Sequence, residues 1–309
     1  MKPLVAALLV ALTAPAVPVA LAGRDDGGRE AVRAARDCGP SNARVRPGAR
    51  DGRDRNELSA TEALQVDRVL ERLLRRDPET GRPAARAAAA VKIPVYFHVL
   101  HDGARGNVPD ATVRRQIAVM NASYGGRNGG SNTGVSFVLR QVTRTSNASW
   151  YRSPEQYEET FKRKLHRGDR KTLNLYSADL GEELLGWSTF PWNYRNDPKM
   201  DGTVIHLGTM PGGSIKNFNR GYSATHEVGH WLGLFHTFQD GCQGNGDRVA
   251  DTPAERDPSH GCPANRDTCA TEGRDPVQNY MNYSWDSCMN QFTKGQGARM
   301  RTIWSAYRG

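Results

Sequence analysis

The chain has 309 residues, a formal net charge of +9 and a hydrophobic content of 38%, which suits one large domain or two small ones in a globular protein. The positive charge is spread along the sequence except for a cluster at residues 162–171. No aromatic side chains are interleaved with that cluster to stack on bases, so it is interpreted as a solvated helix face and no nucleic-acid partner is expected.

The first 22 residues have the pattern of a secretory signal peptide. Lys2 supplies the positive start, and Leu4 to Leu12 form an apolar run that is too short to span a bilayer. Ala20-Leu21-Ala22 is a small-x-small cleavage signal, which would leave Gly23 as the first residue. We therefore expect a secreted, extracellular protein without a membrane partner, in which cysteines pair as disulfides.

Residues 23–90 are interpreted as a propeptide. They are rich in Arg and Ala, contain no Lys and have almost no aromatic side chains, a composition that cannot build much core. Ser59 and Glu62 have the spacing of a capping box, and apolar residues follow them at helical spacing, which predicts one helix. Arg82 to Arg86 would be the cleavage zone. The alternative is a linker or tail with no inhibitory role.

The ordered catalytic domain is expected to cover residues 91–309. Helices and strands alternate in it, which indicates an α+β fold with a twisted mixed β-sheet and helices packed on the sheet. Residues 239–291 are rich in Gly, Asp, Asn and Pro, which predicts an irregular lobe held together by disulfides. The predicted elements are strands at 91–100, 135–139, 173–176 and 203–207, and helices at 112–120, 154–167 and 293–307.

The segment from His226 to His236 has the pattern H-E-x-x-H-x-x-G-x-x-H. Residues i and i+4 lie on one face of a helix, so His226 and His230 can reach the same metal ion. Gly233 can adopt a positive φ that ends the helix and brings His236 round as a third ligand. Three protein ligands leave the fourth position of a zinc ion for water, and Glu227 is placed to take the proton of that water.

Two other readings of this motif are less consistent with its residues. The chain has only eight histidines, so a match of five fixed residues at these spacings would be a rare coincidence. A structural zinc site normally has four protein ligands, and no cysteine lies in this segment. The sequence therefore predicts an enzyme, with a catalytically inactive binding protein and a zinc amidase as the rival functions.

The eleven-residue motif resembles that of the metzincin clan of metallopeptidases, which also has a Met-containing turn beneath the zinc. Asn279 to Tyr283 fits this turn. The wider pattern resembles the pappalysin (M43, cytophagalysin or ulilysin-like) family over residues 91–309, which implies a metzincin-like zinc endopeptidase made as a latent zymogen. The matching pieces are Leu185 to Pro191, Ala224-Thr225, His236-Thr237-Phe238, Gly246 to Pro253 and Ser287 to Thr293.

The resemblance implies roles for four further residues. Met281 would form the hydrophobic base under the zinc ligands, and Tyr283 would donate a hydrogen bond to the oxyanion. Without the resemblance, Met281 and Tyr283 would each be interpreted as an ordinary core residue. Asp247 and Thr252 resemble ligands of a structural calcium ion that backbone oxygens complete, with a solvated acidic loop as the alternative.

The five cysteines divide into four late ones and one early one. Sequence alone allows three pairings of the late four, and the resemblance implies Cys242–Cys269 and Cys262–Cys288. Cys38 lies in Arg36-Asp37-Cys38-Gly39 and resembles a cysteine switch, in which a propeptide thiolate fills the open zinc position. An incidental thiol and a dimer-forming cysteine are the alternatives.

The resemblance also implies how substrate binds. Protein or peptide substrates would pair in extended conformation with a strand at the edge of the sheet, for which Gly186 to Phe190 is the candidate. The propeptide would act as an inhibitor of the same site. Some relatives prefer Arg through an acid immediately before the residue equivalent to Cys288, where this chain has Ser287, with Asp286 one position earlier.

Overall fold

The computed structural model describes residues 44–45, 58–75 and 90–309. The predicted signal peptide, Gly23, Cys38 and the predicted cleavage zone at Arg82 to Arg86 lie outside these residues. The described residues belong to one unit, Gly39–Gly309. Within the described part of the chain, every helix is too short or too polar to cross a bilayer.

A mixed sheet of six strands forms the central layer. The strand order across the sheet is β1-β5-β6-β4-β2-β3. Strands β2, β3, β4 and β6 run parallel, whereas β5 is antiparallel to both of its neighbours. The mixed sheet that the sequence predicts is therefore confirmed. The strands are β1 (Arg44–Val45), β2 (Val91–His101), β3 (Val135–Ser146), β4 (Leu173–Ala178), β5 (Leu184–Ser188) and β6 (Thr203–His206).

Helices cover both faces of the sheet and also lie beside it. Two of them begin with a capping box, which satisfies backbone N–H groups of the first turn. Ser59 and Glu62 form one, as predicted, and Thr293 and Gln296 form the other. The helices are α1 (Ala60–Leu74), α2 (Asp110–Tyr124), α3 (Ala148–Arg152), α4 (Pro154–Leu165), α5 (Tyr222–Trp231) and α6 (Lys294–Ile303).

Several predicted boundaries are wrong. The strand predicted at 203–207 ends at His206, whose Nδ1 accepts a hydrogen bond from the backbone of Gly208 at 2.9 Å and starts a 3-10 turn. The helix predicted at 293–307 is α-helical through Ile303 and continues as a π-helix, Trp304–Arg308. Helix α3 was not predicted, because an element of five residues is too short to show a period. Strand β5 overlaps Gly186 to Phe190, the edge strand that the resemblance implies, but it begins two residues earlier and ends at Ser188.

The larger core lies between the sheet and helices α2, α5 and α6. Alternate residues of β2 point into it, as the two-residue period of a strand requires. Helices α3 and α4 cover a smaller core around Phe161 and Trp187 on the other face. The β2 residues that point into the larger core are at most 3% exposed. They are Val91, Ile93, Val95, Phe97 and Val99.

The interpretation of the basic cluster as a solvated helix face is wrong for Lys162. Its side chain is fully buried, forms an ion pair with Glu158 at 2.6 Å, and donates to the carbonyl of Met200 at 2.9 Å. The other five basic residues of the cluster are exposed, and one of them, Arg163, pairs with Glu159 and Asp197. Lys162 thus contributes to packing of α4, because a buried ammonium needs a paired charge and hydrogen-bond acceptors.

A buried ion pair fixes the end of α5. Both terminal nitrogens of Arg308 donate to the carboxylate of Asp201, at 2.8 and 2.9 Å. The indole of Trp231 donates to the same carboxylate at 3.0 Å, and the Arg308 guanidinium lies 3.7 Å over the Trp231 ring. Since either charge alone would be buried and unpaired, the last residue of α5 is strongly tied to the loop before β6.

Candidate metal centre

Helix α5 carries the first part of the motif and is buried along its length. Every residue from Ser223 to Trp231 is buried. Side chains of α2 satisfy backbone groups at its start: Gln116 donates to the carbonyl of Gly221, and Tyr124 donates to the carbonyl of Thr225, each at 2.9 Å. Because the sheet lies on one side and α2 on another, the direction of α5 is fixed by packing as well as by its own hydrogen bonds.

A sharp turn after α5 brings round the third histidine. Gly233 has φ 92°, in the left-handed region that the sequence analysis expected for it. Its backbone N–H donates to the carbonyl of His230 at 2.8 Å, and that of Leu234 donates to Gly229 at 3.0 Å. A Cβ at Gly233 would also approach Ile303 to 2.6 Å. Glycine is therefore required here both by conformation and by space.

The three histidines converge on one point. The Nε2 atoms of His226, His230 and His236 lie 3.0 to 3.2 Å from one another, and the three side chains are at most 3% exposed. Atoms this far apart lie about 1.8 Å from their common centre, just inside the zinc–nitrogen distance of about 2.0–2.1 Å. Among the described residues, this is the one group of three or more such side chains that could hold a metal.

Hydrogen bonds on the far side of the rings set the tautomers. Nδ1 of His226 lies 2.7 Å from the carbonyl oxygen of Tyr280, and Nδ1 of His230 lies 2.8 Å from that of Leu234. A carbonyl only accepts, so each Nδ1 carries the proton and each Nε2 presents a lone pair to the centre. Burial lowers the pKa of His230 to about 4, so this ring is neutral near pH 7, the form that binds a metal.

Glu227 lies between the metal centre and the edge of the sheet. It is fully buried, and its side chain packs against Gly186 of β5. A Cβ at Gly186 would lie 2.8 Å from Cγ of Glu227 and 2.9 Å from the carbonyl oxygen of Val204, closer than real contacts allow. The absence of a side chain at position 186 thus makes room for the proposed catalytic carboxylate beside the strand expected to bind substrate.

Met281 lies directly beneath the helix that carries two of the histidines. It is fully buried, and a Cβ added at Gly229 would overlap its sulfur atom. The turn around Met281 is held by Asn279 and Gln296, whose side-chain amides pair through two hydrogen bonds of 2.9 and 3.0 Å. Met281 therefore fills the space that a side chain at position 229 would need. Position 229 is an unspecified position of the motif, so the motif does not reveal this need for glycine.

The ring of Tyr283 packs against two of the histidines. Its centroid lies 5.1 Å from that of His236 and 5.8 Å from that of His226. Tyr283 is 6% exposed, and with Phe238 it lines a cavity of about 530 Å³ beside the metal centre. The structure thus brings Tyr283 to the same site as the three histidines.

A buried carboxylate organises the lobe that follows the third histidine. Glu255 accepts hydrogen bonds from Thr237 at 3.0 Å, Ser259 at 2.6 Å, Arg266 at 2.7 Å and Asn282 at 2.8 Å. Burial raises the pKa of the Glu255 carboxyl, and these donors oppose the rise. Sequence reasoning missed Glu255, because its partners come from four separate positions in an irregular segment.

The disulfides staple this lobe. Cys242 is bonded to Cys269 and Cys262 to Cys288, the pairs that the resemblance implies. The bonds join segments without regular secondary structure, where chain entropy opposes folding most.

Asp247 and Thr252 lie in the same lobe and bury side-chain oxygens close to each other. Asp247 is 4% exposed; its Oδ1 accepts from the backbone of Val249 at 3.0 Å. Oδ2 of Asp247 and the hydroxyl group of Thr252 are both buried and fall short of well-formed hydrogen-bond geometry. The two side chains nevertheless interact, because the Thr252 hydroxyl opposes the rise of the pKa of Asp247 to about 7 that burial causes. Asp247 is thus a buried carboxyl group beside a buried hydroxyl group.

Strand β5, the candidate to bind substrate, is paired with another strand on both of its sides. Strand β5 pairs with β6, and on its outer side with β1, in which Arg44 lies opposite Gly186 and Val45 opposite Leu184. Residues 44–45 fall within the predicted propeptide. The candidate substrate edge is therefore covered by the chain's own N-terminal segment.

Asp286 and Ser287, the two residues considered for a preference for Arg in the substrate, differ in burial. Asp286 is 1% exposed, and its carboxylate accepts a hydrogen bond from the backbone of Arg220 at 2.8 Å. Ser287 is exposed, with its hydroxyl 3.2 Å from the sulfur of Cys262. The Asp286 carboxylate is thus directed into the protein, whereas the Ser287 side chain lies at the surface.

Comparison with known proteins identifies similar chains. A family model described as Pregnancy-associated plasma protein-A (Peptidase_M43) matches residues 163–305. Extracellular metalloprotease 1 of Coccidioides posadasii is 45% identical over 227 residues, which cover 71% of this chain and 79% of the relative. An extracellular metalloprotease of Arthroderma benhamiae is 44% identical over 229 residues, which cover 72% of this chain and 74% of that protein.

Two solved structures are similar in fold and sequence. Mature mirolysin of Tannerella forsythia, in complex with a cleaved peptide, has a TM-score of 0.63 and 32% identity, covering 72% of this chain and 95% of that one. A promirolysin mutant from the same organism has a TM-score of 0.67 and 31% identity, covering 81% of this chain and 91% of that one.

The contact between Gly229 and Met281 gives a direct test of the metal centre. We expect Gly229→Ala to weaken zinc binding, by about tenfold or more, because the new methyl group pushes Met281 and α5 apart. Chelator competition with the purified chain measures this affinity. Adding Met281→Ala to Gly229→Ala should recover part of the loss. An unchanged affinity in Gly229→Ala would show that the close packing does not hold the ligands in place.

Proposed function

Because this chain belongs to the Peptidase_M43 family of metallopeptidases, the pappalysins of the metzincin clan, we propose that it is a zinc-dependent endopeptidase made as a latent precursor. The enzyme is extracellular, as its curated relatives are named. The observation that supports zinc most directly is the convergence of three buried histidine Nε2 atoms on one point. Nitrogen ligands in this number leave a position for water and substrate.

The residues around that point have separate roles. A bound zinc ion supplies Lewis-acid polarisation of the peptide carbonyl and makes water more acidic. Glu227, buried beside β5, takes the proton of the attacking water and passes it to the leaving amine. Tyr283 donates a hydrogen bond to the oxyanion that develops on the carbonyl. His226, His230 and His236 hold the metal, while Met281 supports α5 from below.

The substrate is proposed to bind as an added strand. Strand β5 offers backbone groups on the side that β1 covers, so an extended peptide replacing β1 would lie next to Gly186 and Glu227. Mirolysin, 32% identical to this chain, has been solved with a cleaved peptide, which supports a protein or peptide substrate here.

The domain boundaries form part of the proposal. Residues 1–22 serve as the signal peptide, 23–90 as the propeptide and 91–309 as the catalytic domain. A similarity that extends over 81% of the chain for promirolysin but 72% for mature mirolysin supports a propeptide. Latency is proposed to come from the propeptide, with Cys38 bound at the metal and β1 lying on the substrate edge.

Calcium is proposed as a second, structural ion. Asp247 and Thr252 fit it, because their side-chain oxygens are buried close together and lack well-formed hydrogen bonds. Oxygen donors on a turning loop are the ligands that calcium prefers.

Glu227 provides the test of the enzymatic function. We expect Glu227→Ala to reduce casein hydrolysis by the activated enzyme at least about a hundredfold, the scale of a lost general base. Zinc content, measured by atomic absorption, should stay near one ion per chain. Glu272→Ala, which changes an exposed carboxylate, should behave as the wild type. A chelator should abolish hydrolysis and zinc restore it. Full activity in Glu227→Ala or in the chelated enzyme would refute the proposal.

Cys38 provides the test of the latency mechanism. We expect Cys38→Ala to give a precursor that cleaves a fluorogenic peptide before processing, or that processes itself early, because the metal position is then open and only β1 still covers the substrate edge. Peptide turnover and the mass of the chain over time measure the two effects. The double variant Cys38→Ala, Glu227→Ala should stay uncleaved and inactive. If the single variant stays as latent as the wild type, the cysteine switch is wrong.

Asp247 provides the test of the calcium site. We expect calcium at about 100 times its dissociation constant to raise the melting temperature of the wild type by roughly 5 °C. Asp247→Asn should lose most of this calcium-dependent shift, whatever its stability without calcium. Asp267→Asn, at an exposed carboxylate, should keep it. An equal shift in all three proteins would place the ion elsewhere.

A further inference from the structure

Helix α1, part of the proposed propeptide, covers an apolar surface beside the metal centre. Ala63 is fully buried, and Leu58 and Val66 are 8% and 9% exposed. They pack in one cluster with Phe190 and Phe235, against which Trp192 also lies. The Phe190 ring lies 5.6 Å from that of His230. One aromatic side chain thus contacts both the helix and a metal-binding histidine. The surface formed by Phe190, Trp192, Phe235 and Arg248 is called the docking face below.

Polar contacts fix the helix on this face at two places. The side-chain amide of Gln239 donates to the carbonyl of Leu58 at 3.0 Å. The guanidinium of Arg248 donates to the carboxylate of Asp67 at 2.6 Å, and Arg248 is held from behind by Asp240 at 2.8 Å. The Arg248 side chain is 8% exposed and that of Asp67 is 23% exposed. Because the pair is largely shielded from water, it is stronger than an exposed ion pair.

The docking face is complementary to one kind of partner, an amphipathic helix with a carboxylate beside its apolar stripe. In α1 the stripe consists of Ala63, Val66 and Leu70, at helical spacing, with Asp67 next to it. A helix of 15 residues is marginally stable alone in water. The capping box of Ser59 and Glu62 lowers the cost of forming it, so the docking face has a partner that is prepared to fold on it.

Cleavage after α1 would leave all of these contacts in place. The cleavage zone proposed at Arg82 to Arg86 lies between α1 and β2, whereas every contact described above joins α1 to residues beyond 189. The same fragment also carries β1, which pairs with β5. The strand and the helix are joined by residues 46–57, so the loss of one contact leaves the other to hold the fragment nearby and favours rebinding.

We propose that the docking face holds the excised propeptide after cleavage, through helix α1 and the preceding Leu58, so that cleavage and activation are separate steps. This inference rests on the proposed function in one respect, that residues 23–90 are a propeptide. The fragment then leaves only when the helix dissociates from the docking face or is itself degraded. Until that happens, β1 covers the substrate edge and the start of α1 borders the cavity that Tyr283 lines.

The test uses the full chain carrying Glu227→Ala, which cannot digest the fragment, with a recognition site for a narrow-specificity protease placed within residues 78–84. After complete cleavage, size-exclusion chromatography and mass spectrometry measure the fragment that elutes with the catalytic domain. We expect most of it to do so. Adding Asp67→Asn should speed release by about tenfold. Glu71→Gln, which changes an exposed carboxyl of the same helix, should not.

A charge exchange separates the ion pair from general damage to the fold. Asp67→Arg and Arg248→Asp should each speed release, and the two together should restore retention, provided that each protein melts as the parent does. Immediate loss of the fragment from the parent after cleavage would overturn the proposal. Equal release from Asp67→Asn and Glu71→Gln would also overturn it. Since no step of this test needs peptidase activity, its failure is distinct from failure of the zinc endopeptidase function.

Discussion

The convergence of three histidine nitrogens on one point is the constraint on which the rest of the structure depends. The Nε2 atoms of His226, His230 and His236 lie 3.0 to 3.2 Å apart, and such an arrangement is repulsive unless a cation lies among them. The protein must therefore impose it from outside. Carbonyl groups of Tyr280 and Leu234 fix the outer nitrogens of two rings, and the neighbouring helices and sheet leave α5 no freedom to turn.

Much of the C-terminal lobe serves this constraint. Its chain is irregular, so it cannot rely on the repeating hydrogen bonds of helices or sheets. Glu255 gathers four donors from separate positions, two disulfides close its loops, and the amide pair of Asn279 and Gln296 holds the Met-containing turn. A buried carboxylate is costly, but each donor lowers that cost and specifies one arrangement of the loops.

The surfaces proposed to serve catalysis are also those that the N-terminal segment covers. Strand β1 lies along the outer edge of β5, opposite Gly186, and Gly186 is the position that makes room for Glu227. On the other side, α1 packs on Phe190, whose ring contacts that of His230. Strand β1 covers β5 through backbone pairing, whereas α1 covers Phe190 through apolar packing of side chains. The two contacts can therefore be lost at different steps, as the proposed retention of the fragment requires.

The sequence by itself determined the chemistry of the metal centre and part of the architecture. The spacing of His226, Glu227 and His230 follows from the helical repeat, and the φ of Gly233 follows from the need to turn the chain, so both are local properties. The capping box at Ser59 and the long strand from Val91 are local too. The mixed sheet followed from the alternation of elements, and the disulfide pairs from resemblance to a family.

Only the tertiary structure decided what the local pattern leaves open. Gly229 must be glycine because Met281, 52 positions later, fills its side-chain space, and no local rule relates the two. Lys162 reads as a surface residue because charged residues surround it in sequence, yet its pairing with Glu158 buries it. The five residues of β5 show no period, and β5 is a strand because β6 and β1 flank it. Contacts between residues far apart in sequence are set by packing of the whole chain, so no local sequence pattern predicts them.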